Sequence, residues 1–124
     1  TTAGCDHVLP TPYTTLVYGE LQVHDLPAPS GTKVEAVTPR GEVAGCTIVE
    51  SEGLYGMMQV YGEDATADPP IPGFREGEEL AFRVNGMPAE VSTTVAWQDD
   101  WASHELSLKA TAHTMYLPMI MRDN

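Results

Sequence analysis

Basic residues are few in this chain. Six lysines and arginines stand against 18 aspartates and glutamates, which gives a formal net charge of −12. A surface of that charge repels the phosphates of nucleic acids and the headgroups of anionic lipids, so we expect neither as a partner. Long apolar runs are also missing, since none approaches the roughly 18 residues that a membrane-spanning helix needs. We therefore expect no membrane insertion.

Cysteine is scarce as well, with only Cys5 and Cys46 in the chain. Two cysteines so far apart, with scattered histidines, lack the closely spaced ligand pairs of a zinc site, and we expect no bound metal. An even number of cysteines is compatible with one disulfide, so we predict that the two are bonded. Two unrelated buried thiols are the alternative, because a sequence does not fix the distance between two Cα atoms.

Catalytic motifs are missing too. The chain has four histidines, and none of them stands in a recognisable motif with a serine, cysteine or aspartate: His7, His24, His104 and His113. Catalysis by an activated nucleophile needs such a base next to the attacking group. We therefore expect that the protein is not an enzyme and that it has no cofactor.

The apolar residues alternate with polar ones in short runs, which predicts β-strands. A chain of 124 residues with 11 glycines and 10 prolines suits one all-β domain. Residues 13–23 predict a first long strand with a bulge at Gly19. Residues 31–61 predict three strands joined by tight turns, a β-meander. The pair Asn85-Gly86 predicts a hairpin, and residues 104–112 predict the last strand of the domain.

The longest irregular segment, residues 62–79, is rich in acidic side chains. Loops of this length tend to be either functional or loosely ordered. Clustered carboxylates favour calcium, but their spacing here differs from that of the D-x-[DN]-x-[DN]-G loop, so we prefer a solvated acidic loop. The carboxylates concerned are Glu63, Asp64, Asp68, Glu76, Glu78 and Glu79.

Two tryptophans, Trp97 and Trp101, flank a pair of aspartates. An exposed indole beside carboxylates suits a sugar, because the ring stacks on the sugar face and the acids accept its hydroxyl groups. Tyr61 would extend such a platform. The alternative, which we prefer, is that Trp97 faces the core and Trp101 caps the end of the domain, since tryptophan is highly buried on average.

The end of the chain is apolar, although the domain looks complete before it. We divide the chain into an extended arm at residues 1–12, a β-domain at residues 13–112 and an apolar strand at residues 113–124. A strand here would be apolar on both faces, so we predict that it docks on a sheet edge of its own chain or of a neighbouring copy. The residues of this assembly strand are Met115, Tyr116, Leu117, Met119, Ile120 and Met121.

The run GELQVHDLPAPSGTKVEAVTPRGEVAGCTIVESEGLYGMMQV resembles the Ig-like, transthyretin-like domains related to the carboxypeptidase regulatory domain, which bacteria append to exported proteins. The matching features are Gly19 before an alternating strand, the corner at residues 27–29, and Gly53-Leu54-Tyr55-Gly56. The resemblance spans residues 18–110. It implies an antiparallel β-sandwich of about seven strands, here with an extra C-terminal strand, and a non-catalytic extracellular module for adhesion, spacing or carbohydrate contact.

From these features we expect a structural or adhesive module at the cell surface. Its partners would be other copies of itself, in an assembly or filament joined by strand donation, or other surface proteins. The alternative function is a carbohydrate-binding module appended to an exported enzyme, with a polysaccharide as its ligand. The chain starts at Thr1 without a signal-peptide core, which suggests either a processed N-terminus or an artificial boundary of the chain. Of the two, we expect the processed N-terminus of an exported protein.

Overall fold

The computed structural model describes residue 5 and residues 7–110 of the chain. The regular secondary structure of that part consists of β-strands, apart from a single residue with 3₁₀ geometry. This confirms the all-β prediction. None of the described residues belongs to a helix that would cross a bilayer. The strands are β1 (Thr14–Val23), β2 (Leu26–Pro27), β3 (Lys33–Val37), β4 (Val43–Ile48), β5 (Leu54–Tyr61), β6 (Ala81–Val84), β7 (Met87–Val91), β8 (Ser103–Glu105) and β9 (Leu108–Ala110).

Strand β1 organises the fold because it pairs along its whole length. Its first part lies antiparallel to β5 and parallel to β8, and its last residues lie antiparallel to β2 and parallel to β9. From β9 the sheet continues through β7, β6 and β3 to β4 with antiparallel neighbours. The result is one curled, mixed sheet.

The parallel pairs correct the expectation of a wholly antiparallel arrangement. The chain enters β8 from a turn beside the start of β1, and therefore runs in the same direction as β1. The predicted strand at residues 104–112 is split, because Leu106 leaves the ladder between β8 and β9 and is fully buried. Its backbone N–H still donates to the carbonyl oxygen of Tyr18 at 2.8 Å.

The predicted meander is wrong in its third strand. Strands β3 and β4 form the expected hairpin, but β5 pairs with β1 and not with β4. The turn before β5 carries the chain across, since Gly53 donates its N–H to Ala28 and accepts the N–H of Leu21. Strands β1 and β4 both have apolar inward faces. The alternation of apolar residues therefore predicted β5 as a strand but did not determine which strand pairs with it.

Two local predictions are confirmed. The β1–β5 register shifts between Val17 and Gly19, and a Cβ on Gly19 would collide with the backbone of Leu106. Only glycine fits this bulge. The turn between β6 and β7 has positive φ at both Asn85 (50°) and Gly86 (83°), as a tight hairpin turn needs.

The core fills the inside of the curl. Tyr55 reaches across it from β5 and donates its hydroxyl hydrogen to the carbonyl oxygen of Leu106 at 2.7 Å. Burial raises the pKa of this phenol, so it remains a protonated donor. Phe74 and Trp97, from irregular segments, close the core at one end. The largest fully buried side chains are Phe74, Leu21, Met58, Leu106, Val17, Val34, Val49, Val60 and Val84.

Candidate functional site

Strands β4 and β5 each have a side without a strand partner, and they lie next to each other. Within residues 7–110, β4 pairs with β3 alone and β5 pairs with β1 alone. The two come together at Gly45, where an added Cβ would lie 2.7 Å from the carbonyl oxygen of Gln59. A groove follows this seam as two cavities of about 490 and 350 Å³ that share Thr47 and Met57. We call it the edge groove.

The N-terminal arm forms one wall of the edge groove. Cys5 is bonded to Cys46 of β4 with an S–S distance of 2.09 Å, which confirms the predicted disulfide. At its other end, the arm is fixed by the hydroxyl of Thr11, which donates to the carbonyl oxygen of Gly62 at 2.8 Å. Residues between these anchors line the groove. The arm is therefore held at β4 and just beyond β5.

Three potential metal ligands, His7, Glu35 and Cys46, lie near one another beside the arm. His7 Nε2 is 2.8 Å from Glu35 Oε2. The sulfur of Cys46 is already in the disulfide, so it cannot act as the thiolate that soft metals prefer. We assign the contact between His7 and Glu35 to holding the arm against β3.

The outer face of β1 and β5 beside the edge groove carries exposed apolar side chains. Leu54 is 53% exposed, Met57 is 56% exposed and Tyr18 is 37% exposed. The register places Leu54 opposite Glu20, and Gly56 lies directly against Tyr18. Large apolar side chains that are exposed side by side mark interaction surfaces.

The three aromatic residues of the predicted sugar platform do not form one exposed surface. Trp97 is only 3% exposed, and its Nε1–H donates to the carbonyl oxygen of Val60 at 2.9 Å, so its ring is not available for stacking. Tyr61 lines the edge groove and pairs with Thr14 on the β5 side of β1. On the β8 side of β1, the backbone N–H of Trp101 donates a hydrogen bond to the carbonyl oxygen of Thr14. It alone keeps an exposed ring, with 61% exposure.

The turn that presents Trp101 is held by Asp100. Its carboxylate accepts hydrogen bonds from the Thr15 hydroxyl at 2.9 Å and the Ala102 N–H at 3.0 Å, and it lies 2.9 Å from His104 Nε2. Burial raises the pKa of Asp100, but the bonds from Ala102, His104 and Thr15 outweigh it and hold the pKa below its usual range.

This cluster was not predicted from the sequence, although an aspartate with a histidine four residues later was a visible signal. Its hydrogen bonds have a structural role and not a catalytic one. The hydroxyl of Thr15 donates to Asp100 and not to His104, so the cluster lacks a nucleophile hydrogen-bonded to a histidine base. It fixes a turn that has a positive φ of 52° at Trp101.

Another cavity of about 490 Å³, the acidic cleft, lies between the acidic loop and the turn before β8. Its wall combines the aromatic side chains of Tyr13, Phe74 and Trp97 with carboxylates. These carboxylates already have partners within the chain, as when Glu63 pairs with Arg75 at 3.1 Å. The carboxylates are Glu63, Asp64, Glu76 and Asp99.

The six acidic residues of the predicted loop do not converge on one point. Asp68, Glu78 and Glu79 do not line the acidic cleft. Glu78 instead accepts a hydrogen bond of 2.6 Å from Arg40, which also donates to the carbonyl oxygen of Gly73 at 2.7 Å. The bond from Arg40 lowers the pKa of Glu78. These contacts tie the loop to the turn between β3 and β4.

Comparison with known proteins finds no family model that matches the chain, and no curated protein or solved structure that matches it. The resemblance to transthyretin-like domains therefore stays a prediction. The predicted assembly strand at residues 115–121 and His113 lie outside the described residues.

Proposed function

We propose that the protein is a non-enzymatic structural module that joins copies of itself into an assembly outside the cell. The joint is the apolar segment at residues 115–121 of one copy, added as a strand to the next copy. The observation that carries this proposal is β5, an eight-residue strand that pairs with β1 alone among the described residues and carries the exposed side chains of Leu54 and Met57. Unpaired strand edges accept added strands from other chains.

One further property supports a place outside the cell, and a second affects how copies meet. The disulfide between Cys5 and Cys46 is of a kind that forms and persists in oxidising compartments. The net charge of −12 keeps separate copies in solution unless a specific contact overcomes their repulsion.

The joint uses different surfaces on the two copies that it connects. Each copy offers one apolar segment and one acceptor strand, β5, so every contact leaves a free segment at one end and a free β5 at the other. Such head-to-tail contacts continue into a filament unless the rotation between copies closes a ring. We therefore propose a filament or a ring, and not a symmetric dimer.

The histidine contacts support a function without catalysis. His7 lies against Glu35, and His104 lies against Asp100 in the turn that presents Trp101. Both contacts hold backbone segments in place. Hydrolase, transferase and redox assays are expected to show no turnover, and activity lost on replacing His104 with alanine would contradict this part of the proposal.

Deleting residues 114–124 tests the proposed function. The deletion leaves all nine strands and the core intact, since they lie within residues 14–110. We expect the intact chain to form large particles in sedimentation velocity and the shortened chain to sediment as a monomer with an unchanged circular dichroism spectrum. A shortened chain that assembles as well as the intact one would contradict the proposal.

A second candidate function is contact with a carbohydrate at Trp101, as in a module appended to an exported enzyme. One observation favours it, the 61% exposure of an indole that is held in place by the turn at Asp100. Affinity electrophoresis in gels that contain polysaccharides tests it. Trp101→Ala should abolish retardation and Trp101→Phe should keep part of it, while an unretarded wild-type protein would reject this candidate.

A further inference from the structure

We infer that the edge groove is the surface that receives residues 115–121 of a second copy. This inference rests on the proposed function, and it names the acceptor surface and the direction of the joint. The groove runs along the seam between β4 and β5, with the disulfide-bonded arm as its third wall. The acceptor is thus an existing groove and not a flat sheet edge.

The length of the segment fits the length of the groove. Strand β5 has eight residues, and the groove touches it from Leu54 to Tyr61. At about 3.3 Å per residue, β5 is roughly 26 Å long and a seven-residue segment is roughly 23 Å long. The two lengths are therefore similar, but pairing with the β5 backbone is limited to residues 54–58, because Gly45 lies against Gln59 and the carbonyl oxygen of Tyr61 accepts the N–H of Phe74.

The chemistry of the segment fits the walls of the groove. Its residues are apolar at both odd and even positions, so a strand built from it must bury both faces. The part of the edge groove beside the arm has apolar side chains from Met57 of β5 and from Val8 and Pro10 of the arm. The part near Leu54 has no arm residue in its wall and is lined mainly by polar residues. An ordinary sheet edge, with one face open to water, would cover only half of the segment.

The position of Arg122 favours one direction of the segment. Residues 115–121 carry no charge, Arg122 follows them directly, and Asp123 comes next. Glu50 lines the groove near Leu54, and Glu52 lies in the turn just before β5. Arg122 meets these carboxylates when the segment runs antiparallel to β5, which is also the slightly more stable kind of strand pairing.

The chain's own segment does not fit the groove in this direction. Strand β9 ends at Ala110, opposite Val23, on the side of β1 away from β5. The chain would enter the groove at Leu54 and run parallel to β5, which places Arg122 at the wrong end. The path from Ala110 to the groove beside Leu54 crosses three strand spacings of about 4.8 Å and runs about 10 Å along the strand direction. The distance between these two points is therefore roughly 17 Å. Five residues reach that far only when fully extended on a straight line.

Strand β2 adds an obstacle to that path, because it pairs with Gln22 and Val23 on the side of β1 where β5 lies. A segment from a second copy is limited neither by this short connection nor by the position of β2. The occupant that we assign to the groove is therefore the segment of another copy.

Variants of the chain of residues 1–124, each with one damaged surface, test this assignment. Met57→Glu places a charge in the edge groove, at a side chain that is 56% exposed, so the fold should be unaffected. Leu26→Glu is the matched control, because Leu26 is 66% exposed and lies outside the groove. A third variant, Leu117→Asp with Ile120→Asp, damages the segment. Thermal unfolding confirms that all three variants are folded.

In sedimentation velocity, we expect Met57→Glu and the segment variant each to raise the Kd of self-association by at least about tenfold. We expect Leu26→Glu to assemble like the wild type. Mixing Met57→Glu with the segment variant should restore one joint and give dimers, since one partner keeps its segment and the other keeps its groove. Dimers in the mixture, and none in either variant alone, would support the assignment directly.

The outcomes separate this inference from the proposed function. If Met57→Glu assembles as well as Leu26→Glu while the segment variant is monomeric, the groove assignment is wrong and strand donation stands. If the segment variant also assembles like the wild type, strand donation itself is wrong. For the direction, Arg122→Glu should weaken assembly and adding Glu50→Arg should restore it; no rescue by Glu50→Arg would reject the antiparallel direction.

Discussion

Gly45 in β4 touches the backbone of Gln59 in β5 without a ladder between the two strands. A Cβ on Gly45 would lie 2.7 Å from the carbonyl oxygen of Gln59 and 3.4 Å from the Cα of Val60. The curled sheet thus comes close to closing on itself at this point, and it leaves the edge groove beside the contact. The missing side chain of Gly45 is what lets the two strands approach.

Gly45→Ala tests this contact. The new methyl group would push against backbone atoms of β5, which do not move aside as a flexible side chain does. Overpacking of this kind costs typically 1–3 kcal/mol, so we expect the free energy of unfolding to fall by about that amount. Urea denaturation followed by tryptophan fluorescence measures it, and an unchanged midpoint would show that the strands are farther apart than described.

The two tryptophans should respond in opposite ways to truncation. Trp97→Ala removes a ring that is 3% exposed together with its hydrogen bond to Val60, and should cost about 3–5 kcal/mol. Trp101→Ala removes a ring that is 61% exposed and should change stability by less than about 0.5 kcal/mol. Thermal unfolding of both variants makes the comparison. A large loss for Trp101→Ala would place this ring in the core.

The disulfide should matter for stability and for assembly. A thiol assay on denatured, unreduced protein should find no free thiol. The bond between Cys5 and Cys46 closes a loop with a sequence separation of 41, and the chain-entropy model assigns such a loop about 4 kcal/mol. Replacing both cysteines with serine should lower the unfolding temperature and also weaken assembly, because the arm is a wall of the edge groove. Unchanged assembly would remove the arm from the joint.

Acid should weaken the link between Arg40 and Glu78. The hydrogen bond from Arg40 holds the folded-state pKa of Glu78 below its unfolded value of about 4.3, so the stabilisation is present above that pH and is lost as the pH falls through the folded-state pKa. At pH 7, Glu78→Gln should cost less than about 1 kcal/mol, since the pair lies at the surface. The difference from the wild type should vanish in acid; a constant difference down to pH 2.5 would contradict this link.

Local features of the fold were readable from the sequence because each depends on neighbouring residues. Asn85-Gly86 supplies the two positive φ angles of a tight turn, and Gly19 supplies a bulge without a side chain. The bond between Cys5 and Cys46 followed from there being only two cysteines in a chain of this kind. These signals need no knowledge of which strands are neighbours.

The partner of β5 was not readable, because alternation shows only which residues face inward. The same residues would suit a meander with β4 or the observed pairing with β1. The edge groove, a consequence of that pairing, was therefore hidden too. Trp97 and Trp101 look alike in the sequence, and only the folded chain shows that the first ring is buried, with its N–H bonded to Val60, while the second is exposed.

Assembly by strand donation is tested by the molar mass of the protein in solution, obtained by light scattering over a wide range of concentrations. If copies join in this way, the mass rises with concentration well above the 13.4 kDa of one chain. A mass that stays at 13.4 kDa up to the highest concentration would contradict it.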